Sequence, residues 1–300
     1  MKTIVIDDMH NLTRLDLFLM NELKISRSKV QELIKNNGVL VNDKSTKSSY
    51  SIKLGDTISI NEVEEEIDDI IPENIPLDIV YEDEDVIIVN KPNGMVVHPA
   101  VGNRNGTLVN ALLYHSKNLS NLNGEFRPGI VHRIDAYTTG LLMVAKNNKA
   151  HENLAKQLEN KTTTRKYVAL VWGVIDHDTG TIDAPIGRDE KDRKKMAVTN
   201  INSKNAITHF RVLERYKEAT LIELKLETGR THQIRVHMNY IGHPVVNDPV
   251  YGKRKIINDF GQCLHAKTIG FNHPTTNKYM EFDSKLPQEF IDIINVFKEM

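Results

Sequence analysis

Asp135 stands two residues after Arg133 in the stretch Gly129-Ile130-Val131-His132-Arg133-Ile134-Asp135-Ala136-Tyr137-Thr138-Thr139-Gly140. The apolar run Leu141 to Ala145 follows at once and reads as a buried strand. Thr138, Thr139 and Gly140 read as a tight polar turn between the two. A carboxylate on a short connection pinned to a core strand is rigid and reachable, which suits a nucleophile or a base. Taken alone, the segment is equally a surface Arg–Asp pair beside a turn.

Two further segments carry groups of matching chemistry. Thr164-Arg165-Lys166-Tyr167 opens a run whose second half, to Trp172 and Gly173, reads as a central strand. Tyr167 could face core or cleft. Glu227-Thr228-Gly229-Arg230-Thr231-His232-Gln233-Ile234-Arg235-Val236-His237 ends a strand at Thr228-Gly229 and starts a helix crowded with cations. His232 and His237 are five apart and miss the i, i+4 spacing of a helical metal pair, so no zinc site is expected. Gly102 and Gly106 lack the Gly-Lys-Ser/Thr that a phosphate loop needs. A hydrolase of Asp/His type would need a nucleophile elbow or a spaced acid pair, and neither is present.

The elements that must position these groups divide into two regions. A length of 300 residues fits about two domains. The single cysteine, Cys263, excludes a disulfide framework. No secretory signal or membrane-length apolar run is visible, so a cytoplasmic protein without a membrane partner is expected. Net charge is −1, yet it is unevenly spread. Residues 61–90 hold twelve Asp or Glu and no Lys or Arg, residues 12–60 carry +3, and residues 91–300 carry +9. A near-neutral total can hide patches that bind phosphate.

Residues 12–60 read as helix, helix, strand. The first helix begins near Leu12, capped by Asn11 or Thr13. Ser28 and Gln31 have capping-box spacing for the second, and Gly38 should end it in the left-handed conformation. Val39-Leu40-Val41 is a short strand, and Ile52 to Ile60 turns at Gly55-Asp56. Lys24, Arg27, Lys29 and Lys35 cluster on the second helix and its approach. The acidic stretch, with Glu64-Glu65-Glu66 and Asp68-Asp69, reads as a linker. Beyond it come strands at Ile79–Tyr81 and Val86–Val89, a helix from Thr107, a helix over 150–158, and a possible hairpin over 208–226. Arg188 to Lys195 is a basic loop, and Pro287 opens a last helix with Phe290, Ile291, Ile294 and Phe297 on one face.

Arg14-Leu15-Asp16, Ser26-Arg27-Ser28, Gly38 to Asn42 and Gly55-Asp56 together resemble the S4 RNA-binding domain. His132 to Gly140, Arg165 to Tyr167 and Gly229 to Arg235 resemble the catalytic motifs of the RluA family of pseudouridine synthases. Asn90-Lys91-Pro92, Val97-His98-Pro99 and Asp248-Pro249-Val250-Tyr251-Gly252 fit the same family. Ile134 and Thr139 stand where the family usually has Leu and Ser.

The resemblance implies an α+β fold with a mixed, largely antiparallel central sheet flanked by helices. The expected layout is an S4-like domain over residues 12–61, an acidic linker over 62–76 and a catalytic domain over 77–300. It implies isomerisation of uridine to pseudouridine without cofactor or metal, in a structured RNA such as 23S ribosomal RNA or a pre-ribosomal particle, by a monomer. Asp135 is then the essential carboxylate, Arg230 rather than Arg133 its ion-pair partner, and Tyr167 the platform for the target base. Arg133 would fill the gap left by a flipped base. Lys166, His232 and Arg235, with Arg14, Arg27 and Lys29 of the first domain, are the implied RNA contacts. A transfer-RNA enzyme, or a non-catalytic S4-type assembly factor, stays open as the alternative.

Overall fold

The computed structural model describes residues 2–7, 12–23, 25, 27–60, 70–100, 103–124, 127–252 and 254–300. Asn11, Lys24, Ser26, Gly102, residues 61–69 of the acidic stretch and the side chain of Lys29 lie outside the described residues. The chain forms two units, Met1–Asp69 and Ile70–Met300.

In the first unit, β1 (Lys2–Val5) precedes α1 (Leu15–Leu23), α2 (Arg27–Lys35), β2 (Val39–Val41) and β3 (Thr57–Ile60). The strands pair antiparallel in the order β1-β3-β2. β1 draws residues ahead of the expected boundary at Leu12 into this sheet. Leu15, Leu19, Val30, Ile34 and Ile58 fill a separate small core. Two local expectations change. Asn37, not Gly38, takes the left-handed position after α2 (φ 58°), and the Gly38 N–H then bonds the Leu33 carbonyl at 2.9 Å. Ser28 already lies inside α2, and the Gln31 amide donates to Asp16 at 3.1 Å.

The second unit runs β4 (Asp78–Glu82), β5 (Val86–Lys91), α3 (Leu108–His115), β6 (Thr139–Ala145), α4 (Asn148–Glu159), β7 (Thr164–Trp172), β8 (Thr179–Asp183), β9 (Ile186–Arg188), β10 (Met196–Val198), β11 (Ile207–Arg215), β12 (Ala219–Leu226), α5 (Gln233–Tyr240), β13 (Leu264–Asn272), β14 (Tyr279–Asp283) and α6 (Gln288–Lys298). A nine-stranded sheet has the order β4-β5-β6-β13-β7-β12-β11-β8, with β14 also on β13. Its pairings are antiparallel except β6 with β13. This is the expected mixed, largely antiparallel α+β sheet. The basic loop 189–195 joins β9 to β10 in a two-stranded ribbon. The expected linker ends early: residues 70–76 are bonded onto α3, with the Glu73 N–H on the Asn110 carbonyl at 2.9 Å and the Asn110 amide on the Ile71 carbonyl at 2.8 Å.

The chain's apolar pattern explains the layers. Every residue of β6 is buried, as a strand covered on both faces requires. Thr107 and Asn110 close a capping box on α3, and the Asn147 side chain caps α4. On α6, Phe290, Ile293, Ile294 and Phe297 are the buried residues. The main core lies between the sheet and helices α3, α5 and α6.

Candidate active site

Asp135 sits in a turn closed by the Thr138 N–H on its own carbonyl at 3.0 Å. Ala136 and Tyr137 are the middle residues of that turn, while Thr139 and Gly140 already belong to β6. Three anchors hold the connection. A Cβ on Gly140, whose φ is +106°, would collide with the Ala266 backbone of β13. Thr139 Oγ1 bonds His265 Nδ1 at 2.7 Å. The Lys91 ammonium, 1% exposed, donates to the carbonyls of Pro92, Met95 and Ala136 at 2.7–2.9 Å. Burial pushes its pKa down to about 7, and the charge of Asp135 partly offsets this.

The ion-pair partner of Asp135 is Arg235. Its Nη1 donates to Asp135 Oδ2 at 3.0 Å, while Nε and Nη2 fork onto both oxygens of Asp248 at 2.7 and 2.8 Å. Asp248 is wholly buried and also accepts the N–H groups of Val250 and Tyr251. Burial disfavours the Arg235 charge, but Asp248 and then Asp135 outweigh it and raise the pKa above its usual value. The expectation for Arg230 is therefore corrected. Arg230 precedes α5; its Nε donates to the Asn205 carbonyl at 2.9 Å and its N–H to Gln233 Oε1 at 2.9 Å. It lines the cavity without reaching the carboxylate. Arg235 lies in the first turn of α5, among buried residues, where a cation must be paired. An arginine inside Gln233-Ile234-Arg235-Val236-His237, with an Asp in the turn at 248, was the available signal.

His232 caps α5 in the left-handed conformation (φ 56°), with Nε2 3.9 Å from Asp135 Oδ1. Its Nδ1 meets the Tyr251 hydroxyl at 2.8 Å, and that hydroxyl accepts the Met196 N–H. Burial lowers the His232 pKa, against a smaller pull from Asp135. Oδ1 of Asp135 accepts no hydrogen bond among the described residues, whereas Oδ2 is held by Arg235.

Tyr167 is 6% exposed and lines the cavity, so it belongs to core and cleft together. Burial raises its pKa. Arg165 enters from the same face of β7; Lys166 takes the other face and does not line the cavity. Arg133 is exposed at the rim, its Nη1 3.4 Å from His98 Nε2. Burial and then Arg133 push His98 down to about 4, so it stays neutral and accepts. The cavity has a volume of about 470 Å³ and is lined by Asp135, Arg165, Tyr167, Arg230, His232 and Arg235. That size accommodates one nucleotide unit. Among the described residues no group of three or more His, Cys, Asp or Glu is placed to hold a metal ion.

In the first unit, Asp16 is wholly buried and binds Arg14 and Arg27 at 2.9–3.0 Å. Both arginines keep nearly half of their side-chain surface exposed. They are fixed cations, available to a further anion.

Residues 85–240 match the RNA pseudouridylate synthase family, and residues 13–58 match the S4 domain. An uncharacterized RNA pseudouridine synthase of Bacillus subtilis is 56% identical over 94% of this chain and 93% of its own. The ribosomal large subunit pseudouridine synthase D of Pseudomonas aeruginosa is 42% identical over 91% and 88%. The structure of human RNA pseudouridylate synthase domain containing 1 superposes with a TM-score of 0.59 at 26% identity, over 76% of this chain and 97% of its own. With its fold, its buried Asp–Arg pair and its S4 segment, the chain belongs to the RNA pseudouridine synthases, enzymes that isomerise uridine in RNA to pseudouridine.

Proposed function

We infer that the chain modifies uridines of large-subunit ribosomal RNA, with Asp135 as the essential carboxylate. The observation that carries the site assignment is the chain Asp135–Arg235–Asp248 in the wall of a nucleotide-sized cavity. Arg235 stays charged at any working pH, so its bond to Oδ2 keeps Asp135 aimed. Oδ1 is left free to act on the ribose, either by attack at C1′ or as the base that helps expel uracil. The N1–C1′ bond breaks with its electron pair leaving on the ring. The ring turns, a C5–C1′ bond forms, the C5 proton departs and N1 gains one. Atoms and electrons balance without a further reagent.

Tyr167 stacks on the flipped uracil. Arg133, exposed at the rim and steadied by neutral His98, takes the space the base vacates and offsets part of the unstacking. The S4 unit adds affinity through Arg14 and Arg27. Relatives named for the large ribosomal subunit favour that RNA over transfer RNA. The protein works as a cytoplasmic monomer; no helix among the described residues is long and apolar enough to cross a membrane.

The test is to incubate transcribed large-subunit ribosomal RNA with wild type and Asp135→Asn, then map pseudouridine by chemical modification and primer extension. Wild type should give discrete stops. Asp135→Asn should lose activity by on the order of 10⁴-fold or more while still binding RNA. Stops only on transfer RNA would reassign the substrate, and product from the Asn variant would remove Asp135 from the chemistry.

A further inference from the structure

β7 sends two side chains into the cavity, and Arg165 has no function in the account above. It lies two residues before Tyr167 on the same strand face, and it is 8% exposed. Its Nε is fully buried without a hydrogen-bond partner. The guanidinium makes no hydrogen bond or ion pair among the described residues. Its neighbours differ. Arg235 holds two carboxylates, Arg230 a carbonyl and Lys91 three carbonyls. The three acids lining the cavity leave it alone. Asp135 is bonded to Arg235, Glu227 to Lys161 and His209, and Glu159 is not within ion-pair distance of Arg165.

An arginine cannot shed its proton, and this one has no carboxylate beside it among the described residues; Nε is shut off from solvent, while Nη1 and Nη2 stay accessible at the cavity. The fold nevertheless makes room for it. A Cβ at Gly229 would lie 2.9 Å from Arg165 Nη1, so the bare residue ahead of α5 is where the guanidinium rests. An unpaired, pre-positioned cation in a cleft is a site awaiting a negative partner.

We propose that Arg165 binds the departing uracil, donating to a carbonyl oxygen of the ring stacked on Tyr167. When N1–C1′ breaks, the ring keeps the bonding pair and its charge spreads to the carbonyl oxygens. The guanidinium stabilises that charge without transferring a proton, then releases it as C5 bonds to C1′. A phosphate is the less suitable partner. The phosphates of a flipped nucleotide stay on the strand at the rim, where exposed Arg133 stands, whereas Arg165 is in the wall beside Tyr167. The assignment rests on the roles given above to Asp135 and Tyr167.

The test compares full-length wild type with Arg165→Gln, Arg165→Lys and Arg165→Met on the transcribed ribosomal RNA. It reads single-turnover rate at saturating RNA, RNA affinity at two salt concentrations, and melting temperature. Arg165→Gln should slow the step by on the order of 10²-fold, with affinity within about twofold. Arg165→Lys should recover part of the rate by keeping a charge. Arg165→Met should melt within a few degrees of wild type, because no hydrogen bond or ion pair is lost with the guanidinium. An unchanged rate overturns the proposal. So does a normal saturated rate with weaker binding and a flatter salt dependence, the mark of a phosphate contact. A melting temperature several degrees lower in Arg165→Met would make the residue structural. Inactive wild type would instead count against the ribosomal substrate, not against Arg165.

Discussion

The two units solve one electrostatic problem with opposite signs. In the S4 unit a wholly buried carboxylate, Asp16, holds two partly exposed guanidiniums, Arg14 and Arg27. In the catalytic unit a buried guanidinium, Arg235, holds a wholly buried carboxylate, Asp248, and a partly exposed one, Asp135. The buried member is fixed, and the exposed members inherit its rigidity. Which sign is left facing outward decides what each unit can do. Cations are left exposed in the first unit, and a carboxylate is left at the cavity wall in the second.

The comparison breaks most visibly at Arg235. Arg235→Met strands Asp248 as an uncompensated buried charge, which should cost about 3–5 kcal/mol of stability and abolish product. A calorimetric scan and the primer-extension assay check both. Wild-type stability in that variant would mean that the buried pair has another partner.

Acid should separate the units next. The bond from Arg14 is the largest influence on Asp16; burial opposes it, Gln31 and Arg27 add to it, and the net holds its pKa well below the usual carboxylate range. A depressed folded pKa gives stability that is present above the unfolded value of about 3.9 and is lost as pH falls through the folded one. Urea unfolding of wild type and Asp16→Asn should therefore differ at pH 6 and converge toward pH 2. A gap as wide at pH 2 as at pH 6 would show that packing, not charge, separates them.

The smallest effects belong to the outward-facing cations. Arg14→Gln and Arg27→Gln should each weaken RNA binding a few-fold and reduce the salt slope by about one, with the saturated rate unchanged. A slower saturated rate would tie these side chains to the chemistry.

Much of this arrangement is legible in the residues. Asp135 before an all-apolar strand, Tyr167 on a strand and the helix start at Thr107 are local signals, and the first two side chains line one cavity. The resemblance pointed to Arg230, but that guanidinium turns to the Asn205 carbonyl. The deciding fact, Asp248 below Arg235, is a contact between a helix and a turn that no periodicity announces. β8 and β14 escaped because each alternates exposed with partly buried positions and carries polar residues. Arg165 escaped because an unpaired buried cation looks, in sequence, like any arginine beside a lysine.

The join of β6 to β13 sets a timetable for synthesis. Residues 139 and 140 lean on 265 and 266, which the ribosome adds some 125 residues later. Until then one edge of β6 is bare and the bonds from His265 and the Ala266 backbone are missing. Contacts this distant in sequence form late. A growing chain therefore exposes the segment that carries Asp135 in an unset form. This segment gains its final support only once residues 265 and 266 have left the exit tunnel.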